Sequence, residues 1–143
     1  MIALDTNLLV YAFRPDAHRH DEANEALRGL LEGSRAWALP WSAVHEFIAV
    51  VTQPRIWREP ATTSQALAAI DGWLRAPGAR LLAEGPAYRE HLDAILAGDD
   101  VRGGRVFDAR IAATCLSHGV DELWSADRDL SRFPMLRVRN PLV

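Results

Sequence analysis

The fold of this chain is decided near its start, where residues 2–13 read IALDTNLLVYAF. The apolar residues at positions 2–4 predict a short buried strand, and Asp5 or Thr6 is suited to cap a helix that we expect over residues 7–13. Strands that alternate with helices in this way are typical of an α/β domain. Asp5 therefore lies at the carboxyl end of a buried strand.

Three further acids stand in apolar sequence as Asp5 does. They are Glu46 in VHEF, Asp108 in VFDA and Asp127 at the end of LWSAD. A carboxylate is costly to bury unless something pairs with it, and a divalent cation held by several carboxylates would be such a partner. If the fold brings the four together, the sequence predicts a metal-dependent enzyme that acts on phosphate esters.

Composition sets modest limits on the class of protein. The chain has 143 residues, of which 49% are hydrophobic and 24% charged, and this suits a single domain over residues 1–143. The net charge of −3 argues against a surface that coats nucleic acid but leaves room for a local basic site. With no signal-peptide pattern, no long apolar run and the single Cys115, we expect a cytoplasmic protein with no membrane segment.

The rest of the chain continues the alternation of strands and helices. We expect further strands over residues 36–39, 80–83, 122–125 and 136–138, and further helices over 17–31, 42–53, 63–74, 88–96 and 105–117, with a loop at 98–104. Such an order implies right-handed crossovers and a mostly parallel sheet covered on both faces. Sites in these sheets lie beyond the carboxyl ends of the strands, so we expect one site there to collect Asp5, Glu46, Asp108 and Asp127.

The order and spacing of these motifs resemble those of PIN-domain ribonucleases. The resemblance covers essentially the whole chain and rests on DTN at 5–7, Glu46 on a helix, DARIAA at 108–113 and SADRDLSRF at 125–133. In size and motif order the chain is most similar to VapC-type toxins of bacterial toxin–antitoxin pairs. That family usually has Thr and an aromatic residue where this chain has Ser125 and Leu130. The resemblance implies a PIN-like three-layer α/β/α domain with a central, mostly parallel sheet of four to five strands.

The resemblance also implies roles for particular residues. The acidic quartet that binds one or two Mg²⁺ or Mn²⁺ ions is matched by Asp5, Glu46, Asp108 and Asp127. Asp129 is a second candidate for the fourth position, and Asn7 and Ser125 match small polar positions that support the site. The implied activity is endoribonuclease cleavage, with metal-activated water attacking the phosphodiester. Repulsion among the carboxylates should raise at least one of their pKa values in the metal-free protein.

The partners implied by the resemblance are an RNA substrate, a second copy in a homodimer and a cognate VapB-type antitoxin. Arg102 and Arg105, on either side of two glycines, are candidates for gripping RNA phosphate, with a solvated loop as the alternative. Five apolar residues on two predicted helices have two interpretations: they form a groove for the antitoxin, or they belong to the core. They are Leu27, Leu30, Leu31, Phe47 and Val51.

Plainer roles remain open for each acid. Asp5 would also serve as a helix N-cap, Glu46 as a partly exposed helix acid, and Asp108 as a first-turn partner of the helix dipole. The acids within residues 125–129 would also suit a turn. Two other functions remain: a metal-dependent phosphatase, which usually has a second aspartate where Asn7 stands, and a catalytically idle PIN-like module that binds RNA or protein.

Overall fold

The computed structural model describes residues 1–98 and 100–143, and over these residues it forms one five-stranded parallel sheet with helices packed against it. The strands are β1 (Ile2–Leu4), β2 (Trp37–Pro40), β3 (Ala79–Leu82), β4 (Glu122–Trp124) and β5 (Val138–Arg139). The helices are α1 (Thr6–Phe13), α2 (His20–Glu32), α3 (Trp41–Val51), α4 (Thr63–Leu74), α5 (Tyr88–Gly98) and α6 (Arg105–Ser117), with a 3₁₀ helix over Arg128–Arg132. The predicted α/β fold with a parallel sheet is confirmed.

The strand order β3-β2-β1-β4-β5 reverses direction at β1. The chain first builds outward through β2 and β3, and then returns to the other side of β1 for β4 and β5. Because parallel crossovers are right-handed, this reversal places α1 to α4 on one face of the sheet and α5 and α6 on the other. A crevice opens where the crossovers diverge, at the carboxyl ends of β1 and β4.

The central strands are buried on both faces, which explains why they are apolar throughout rather than alternating. Every residue of β1 and β2 is buried. Helix α3 packs Val44, Phe47 and Val51 into the core and leaves Glu46 and its neighbour His45 exposed on the other side. The apolar stripe of α3 therefore fixes which of its residues face solvent near the crevice.

Some predicted boundaries were wrong. Helix α2 begins at His20 rather than residue 17, because residues 14–20 form turns in which the Ala17 N–H donates to the Arg14 carbonyl. The last strand lies at Val138–Arg139 rather than 136–138, and the 3₁₀ helix was not predicted. Of the predicted 98–104 loop, Gly98 belongs to α5, and residue 99 lies outside the described residues.

The apolar groove considered for an antitoxin is not an open surface. Leu27, Leu30, Phe47 and Val51 are each at most 6% exposed, and Leu31 packs against the same core. These side chains form the contact between helices and sheet, so the alternative that they belong to the core is correct. No helix in the described part of the chain has both the length and the apolarity needed to cross a membrane.

Candidate active site

Asp5 is the buried centre of the site and is 9% exposed. One carboxylate oxygen accepts a hydrogen bond from the backbone N–H of Thr6 at 2.8 Å, which caps α1. The other oxygen accepts from the Ser125 hydroxyl at 2.6 Å and from the Asn7 amide at 3.3 Å. The N-cap role considered from the sequence is therefore real, and the second oxygen also links β1 to the segment after β4.

Asn7 and Ser125 hold the loop after β4 against Asp5. The Asn7 amide donates to the Ser125 hydroxyl at 3.3 Å, and the Asn7 carbonyl oxygen accepts from the Ala126 N–H at 3.1 Å. The Ser125 oxygen in turn accepts from the Asp127 N–H at 2.9 Å. These contacts are what a supporting role for the two residues requires, and they bring Asp127 to the edge of the crevice.

Four carboxylates line one cavity of about 250 Å³ at this crevice: Asp5, Glu46, Asp108 and Asp127. We call this cavity the carboxylate site. Glu46 lies in the second turn of α3, where its Oε2 accepts from the Thr6 hydroxyl at 3.0 Å, and Asp108 lies in the first turn of α6. Thr6 was considered only as a cap, although its position between Asp5 and Asn7 was a signal that it belongs to the site.

Asp129, the second candidate for the fourth position, does not line this cavity. Its carboxylate lies 3.7 Å from Arg132, and its backbone N–H donates to the Asp127 carboxylate at 2.9 Å. The Asp127 side chain thus caps the 3₁₀ helix while it faces the site. The geometry favours Asp127 over Asp129 as the fourth carboxylate.

The pKa values of Asp5 and Asp108 are raised more by burial than by repulsion from neighbouring acids. Desolvation raises the pKa of Asp5 from 3.8 to about 6, against the hydrogen bonds from Ser125 and Thr6, and the charges of Glu46 and Asp127 add smaller increases. Desolvation also raises the pKa of Asp108, with further contributions from neighbouring acids. Repulsion was the expected cause; it is the smaller one because Asp5 follows a fully buried strand.

The donor chemistry of the carboxylate site fits a hard divalent cation. Its polar lining is carboxylate, hydroxyl and amide groups without His or Cys, and Mg²⁺ and Mn²⁺ prefer oxygen ligands. Over residues 1–98 and 100–143, no three His, Cys, Asp or Glu side chains already converge closely enough to hold an ion. Among these residues the carboxylates thus line the walls of the cavity without converging on one point.

The two arginines predicted at the rim differ in their surroundings. Arg102 is exposed and forms an ion pair with Asp100. Arg105 stacks on Phe133 at 5.3 Å, and its Nε and Nη2 are buried without a hydrogen-bond partner among the described residues. Arg102 thus presents its guanidinium to solvent, whereas two Arg105 nitrogens are enclosed, and the charge of Arg105 partly opposes the rise in the pKa of Asp108.

A second cavity, of about 520 Å³, opens between α3 and α6 and shares Asp5, Glu46 and Asp108 with the carboxylate site. We call it the α3/α6 cavity. Its lining also includes Ser42, His45 and Phe107. This cavity was not predicted, since Phe107 lies in an apolar run that is typical of a core residue.

Comparison with known proteins decides the family. The model of the PIN domain matches residues 2–135. The chain belongs to the PIN domain family. It groups there with the VapC ribonuclease toxins: it is 36% identical over 142 residues to Ribonuclease VapC43 of Mycobacterium tuberculosis, covering 99% of this chain and 96% of that protein. It is 30% identical over 141 residues to Ribonuclease VapC48 of the same organism, covering 96% and 94%.

Solved structures show the same PIN fold. VapBC2 from Rickettsia felis, crystallised with a DNA fragment from its promoter, aligns with a TM-score of 0.71 at 18% identity, covering 98% of each chain. The sarcin-ricin loop cleaving toxin VapC20 of Mycobacterium tuberculosis aligns with a TM-score of 0.69 at 19% identity, covering 98% of this chain and 100% of that one. At these identities the likeness establishes the fold alone, and it confirms the predicted fold class.

The raised pKa of Asp5 predicts how the stability of this PIN domain depends on pH in the absence of metal. Between about pH 4 and pH 6 the folded state binds more protons than the unfolded state, so stability falls as the pH rises. Ionisation of Asp5 lowers the free energy of unfolding by about 3 kcal/mol in total. The whole of this loss is present above the pKa of Asp5 in the folded state, and none of it below its pKa in the unfolded state. The substitution Asp5→Asn removes this dependence.

The measurement is urea denaturation of wild type and Asp5→Asn in chelator from about pH 4 to about pH 7.5. The variant should gain about 2–3 kcal/mol relative to wild type across this range. A stability difference that stays constant with pH would show that Asp5 titrates normally.

Proposed function

We propose that this PIN domain is a divalent-metal-dependent endoribonuclease and the toxin of a toxin–antitoxin pair. The observation that carries the proposal is the carboxylate site, where four acids line one cavity: one directly after β1, one on α3, one on α6 and one in the segment after β4. Support comes from relatives named ribonucleases that match nearly the whole chain. The function the site supports is hydrolysis of RNA phosphodiester bonds.

Asp5, Glu46, Asp108 and Asp127 are the residues that would hold one or two Mg²⁺ or Mn²⁺ ions. A divalent cation at such a site supplies charge stabilisation and activation of water for phosphate-ester hydrolysis. This chemistry needs no nucleophilic side chain, and the Ser125 hydroxyl is already committed to Asp5. Ser125 is therefore a positioning residue, as is Asn7.

The neighbouring hydrogen bonds orient the carboxylates before a substrate arrives. Thr6 links two of them directly, because its N–H donates to Asp5 and its hydroxyl donates to Glu46. Ser125 links Asp5 to the backbone of Asp127. Groups fixed in this way need less reorganisation during the reaction. Arg102, which is exposed, and Arg105, whose charge acts on Asp108, are the residues we propose to contact RNA phosphate.

The partners in this proposal are an RNA substrate, a VapB-type antitoxin and a second copy of the chain, in the cytoplasm. Support for the RNA and the antitoxin comes from relatives named VapC ribonucleases and from the likeness to VapBC2 of Rickettsia felis. A phosphatase is not favoured, because Asn7 occupies the place of its second aspartate and is fully engaged in hydrogen bonds.

The first test is RNA cleavage by Asp5→Asn with Mg²⁺ or Mn²⁺. Loss of this central ligand should lower kcat/KM at least about 100-fold, since disturbing even the residues behind a metal ligand costs about 10- to 100-fold. Product analysis on a labelled oligoribonucleotide gives the rate and the ends formed.

The matched control is Asp93→Asn, which removes an aspartate that is 59% exposed on α5 and pairs with Arg89. It should cleave like wild type. Equal cleavage by Asp5→Asn and wild type would refute the metal-enzyme proposal, whereas a wild type that binds RNA without cutting it would identify an idle binding module. Hydrolysis of small phosphomonoesters in place of RNA would identify a phosphatase.

The second test separates Asp127 from Asp129. Asp127→Asn should weaken Mn²⁺ binding about 10-fold or more and lower cleavage with it, because Asp127 lines the carboxylate site. Asp129→Asn should change the Mn²⁺ affinity and the cleavage rate by less than about threefold, because that side chain pairs with Arg132 outside the cavity. Calorimetric Mn²⁺ titration beside cleavage rates measures both, and the reverse ranking would assign the fourth ligand to Asp129.

A further inference from the structure

The α3/α6 cavity adjoins the carboxylate site and shares three of its acids. Its volume of about 520 Å³ lies within the range of pockets that enclose a small molecule or one group of a larger ligand. A ligand group in this cavity would lie directly beside a phosphate held at the carboxylate site. The cavity therefore has the position of a substrate subsite.

Aromatic rings stand on both walls of the α3/α6 cavity. On the α6 side, Phe107 directly precedes Asp108 and is 72% exposed, unusually high for a large apolar side chain. On the α3 side, the His45 ring lies against the Trp41 ring, with centroids 5.8 Å apart and planes inclined by 33°. Such faces suit a flat π-system between or upon them.

Ser42 adds a polar group to this lining. Its Oγ is enclosed and has no hydrogen-bond partner among the described residues, which is a costly state for a buried hydroxyl. Ser42 lies one helical turn before Glu46 on the same face of α3. Because Ser42 lines the cavity, we expect rotation about its χ1 bond to bring this hydroxyl to a ligand held there.

We propose that the α3/α6 cavity binds one base of single-stranded RNA, from a nucleotide adjacent to the cleaved phosphodiester. The base stacks on Phe107, and its polar edge contacts the Ser42 hydroxyl. This inference rests on the proposed function, because the carboxylate site must hold the neighbouring phosphodiester. Unpaired bases offer both a π-face for stacking and a hydrogen-bonding edge, and proteins that recognise single strands use aromatic side chains for this purpose.

A compact cavity with mixed aromatic and polar lining favours a base over a protein segment. A stable protein interface buries about 800 Å² on each partner, an area far beyond one pocket beside an active site. The carboxylates at one end of the cavity also require cations before phosphate can approach, so the base on Phe107 would add attraction that does not depend on charge. Phe107 then acts in substrate binding and not in the chemical step.

The experiment combines Phe107→Ala in the full-length chain with an oligoribonucleotide that is cut at one site. Two further substrates carry an abasic ribose on either side of that bond. Loss of stacking should raise KM about 5- to 100-fold, while kcat changes less than about threefold. Phe107→Trp should keep a low KM, and Phe107→Leu, which retains apolar bulk without the ring, should behave like Phe107→Ala.

The abasic substrates identify the occupant. With one of the two abasic substrates, the KM of wild type should rise to the KM that Phe107→Ala shows with intact RNA. Phe107→Ala should have the same KM for this abasic substrate and for intact RNA. Ser42→Ala should narrow the differences in KM among the four bases at that position. Leu67→Ala, at an exposed leucine on α4, is the matched control and should cut all substrates like wild type.

Different results of these cleavage assays would overturn the proposed function and the proposed base subsite. A wild type that cuts no RNA would overturn the proposed function. A wild type that cuts intact and abasic RNA equally well, with Phe107→Ala unchanged, would overturn the base subsite alone. If Phe107→Ala weakened only self-association or binding of an antitoxin, with RNA cleavage unaffected, the face would belong to a protein partner and the proposal would be wrong.

Discussion

The hydrogen bonds that join Asp5 to the loop after β4 are the interaction on which the carboxylate site depends. A buried carboxylate without partners would cost several kcal/mol, and Asp5 is satisfied by the Thr6 N–H and the Ser125 hydroxyl. The Thr6 contact is local, whereas the Ser125 contact requires β1 and β4 to lie side by side, and their parallel register places Leu4 opposite Trp124. The reversal of strand order at β1 thus creates the pairing and the crevice together.

These hydrogen bonds compensate the burial of Asp5 only in part, since its pKa still rises to about 6. The folded, metal-free protein therefore carries an electrostatic cost at neutral pH that the surrounding carboxylates increase. A cation bound among Asp5, Glu46, Asp108 and Asp127 would offset this cost and add stability. The carboxylates that destabilise the metal-free protein are therefore the ones that the proposed hydrolysis requires.

The sequence predicted those features that depend on local pattern. Helix α4 has the predicted bounds because a capping box between Thr62 and Gln65 defines its start. The positions of the four acids followed from the strands and helices on which they lie. The turn that Asp127 caps is local, and the sequence did indicate a turn there. Contacts between distant segments were not predicted: the hydrogen bonds of Asn7 with Ser125 and Ala126, and the cavity lined by the exposed Phe107. The spacing of apolar residues along α2 and α3 likewise could not show whether Leu27, Phe47 and their neighbours belong to the core or line an open groove, because either arrangement produces an apolar stripe.

Whether Asp5 is a buried metal ligand can be measured by calorimetric titration of Mn²⁺ into metal-free protein at about pH 6, in two buffers of different ionisation enthalpy. If Asp5 is a buried ligand with a pKa near 6, binding should release about half a proton or more per site, and the release should decline toward about pH 8. Substitution Asp5→Asn should remove most of the release together with the tight binding. Mn²⁺ binding of equal affinity in wild type and variant, with no proton release in either, would contradict the account.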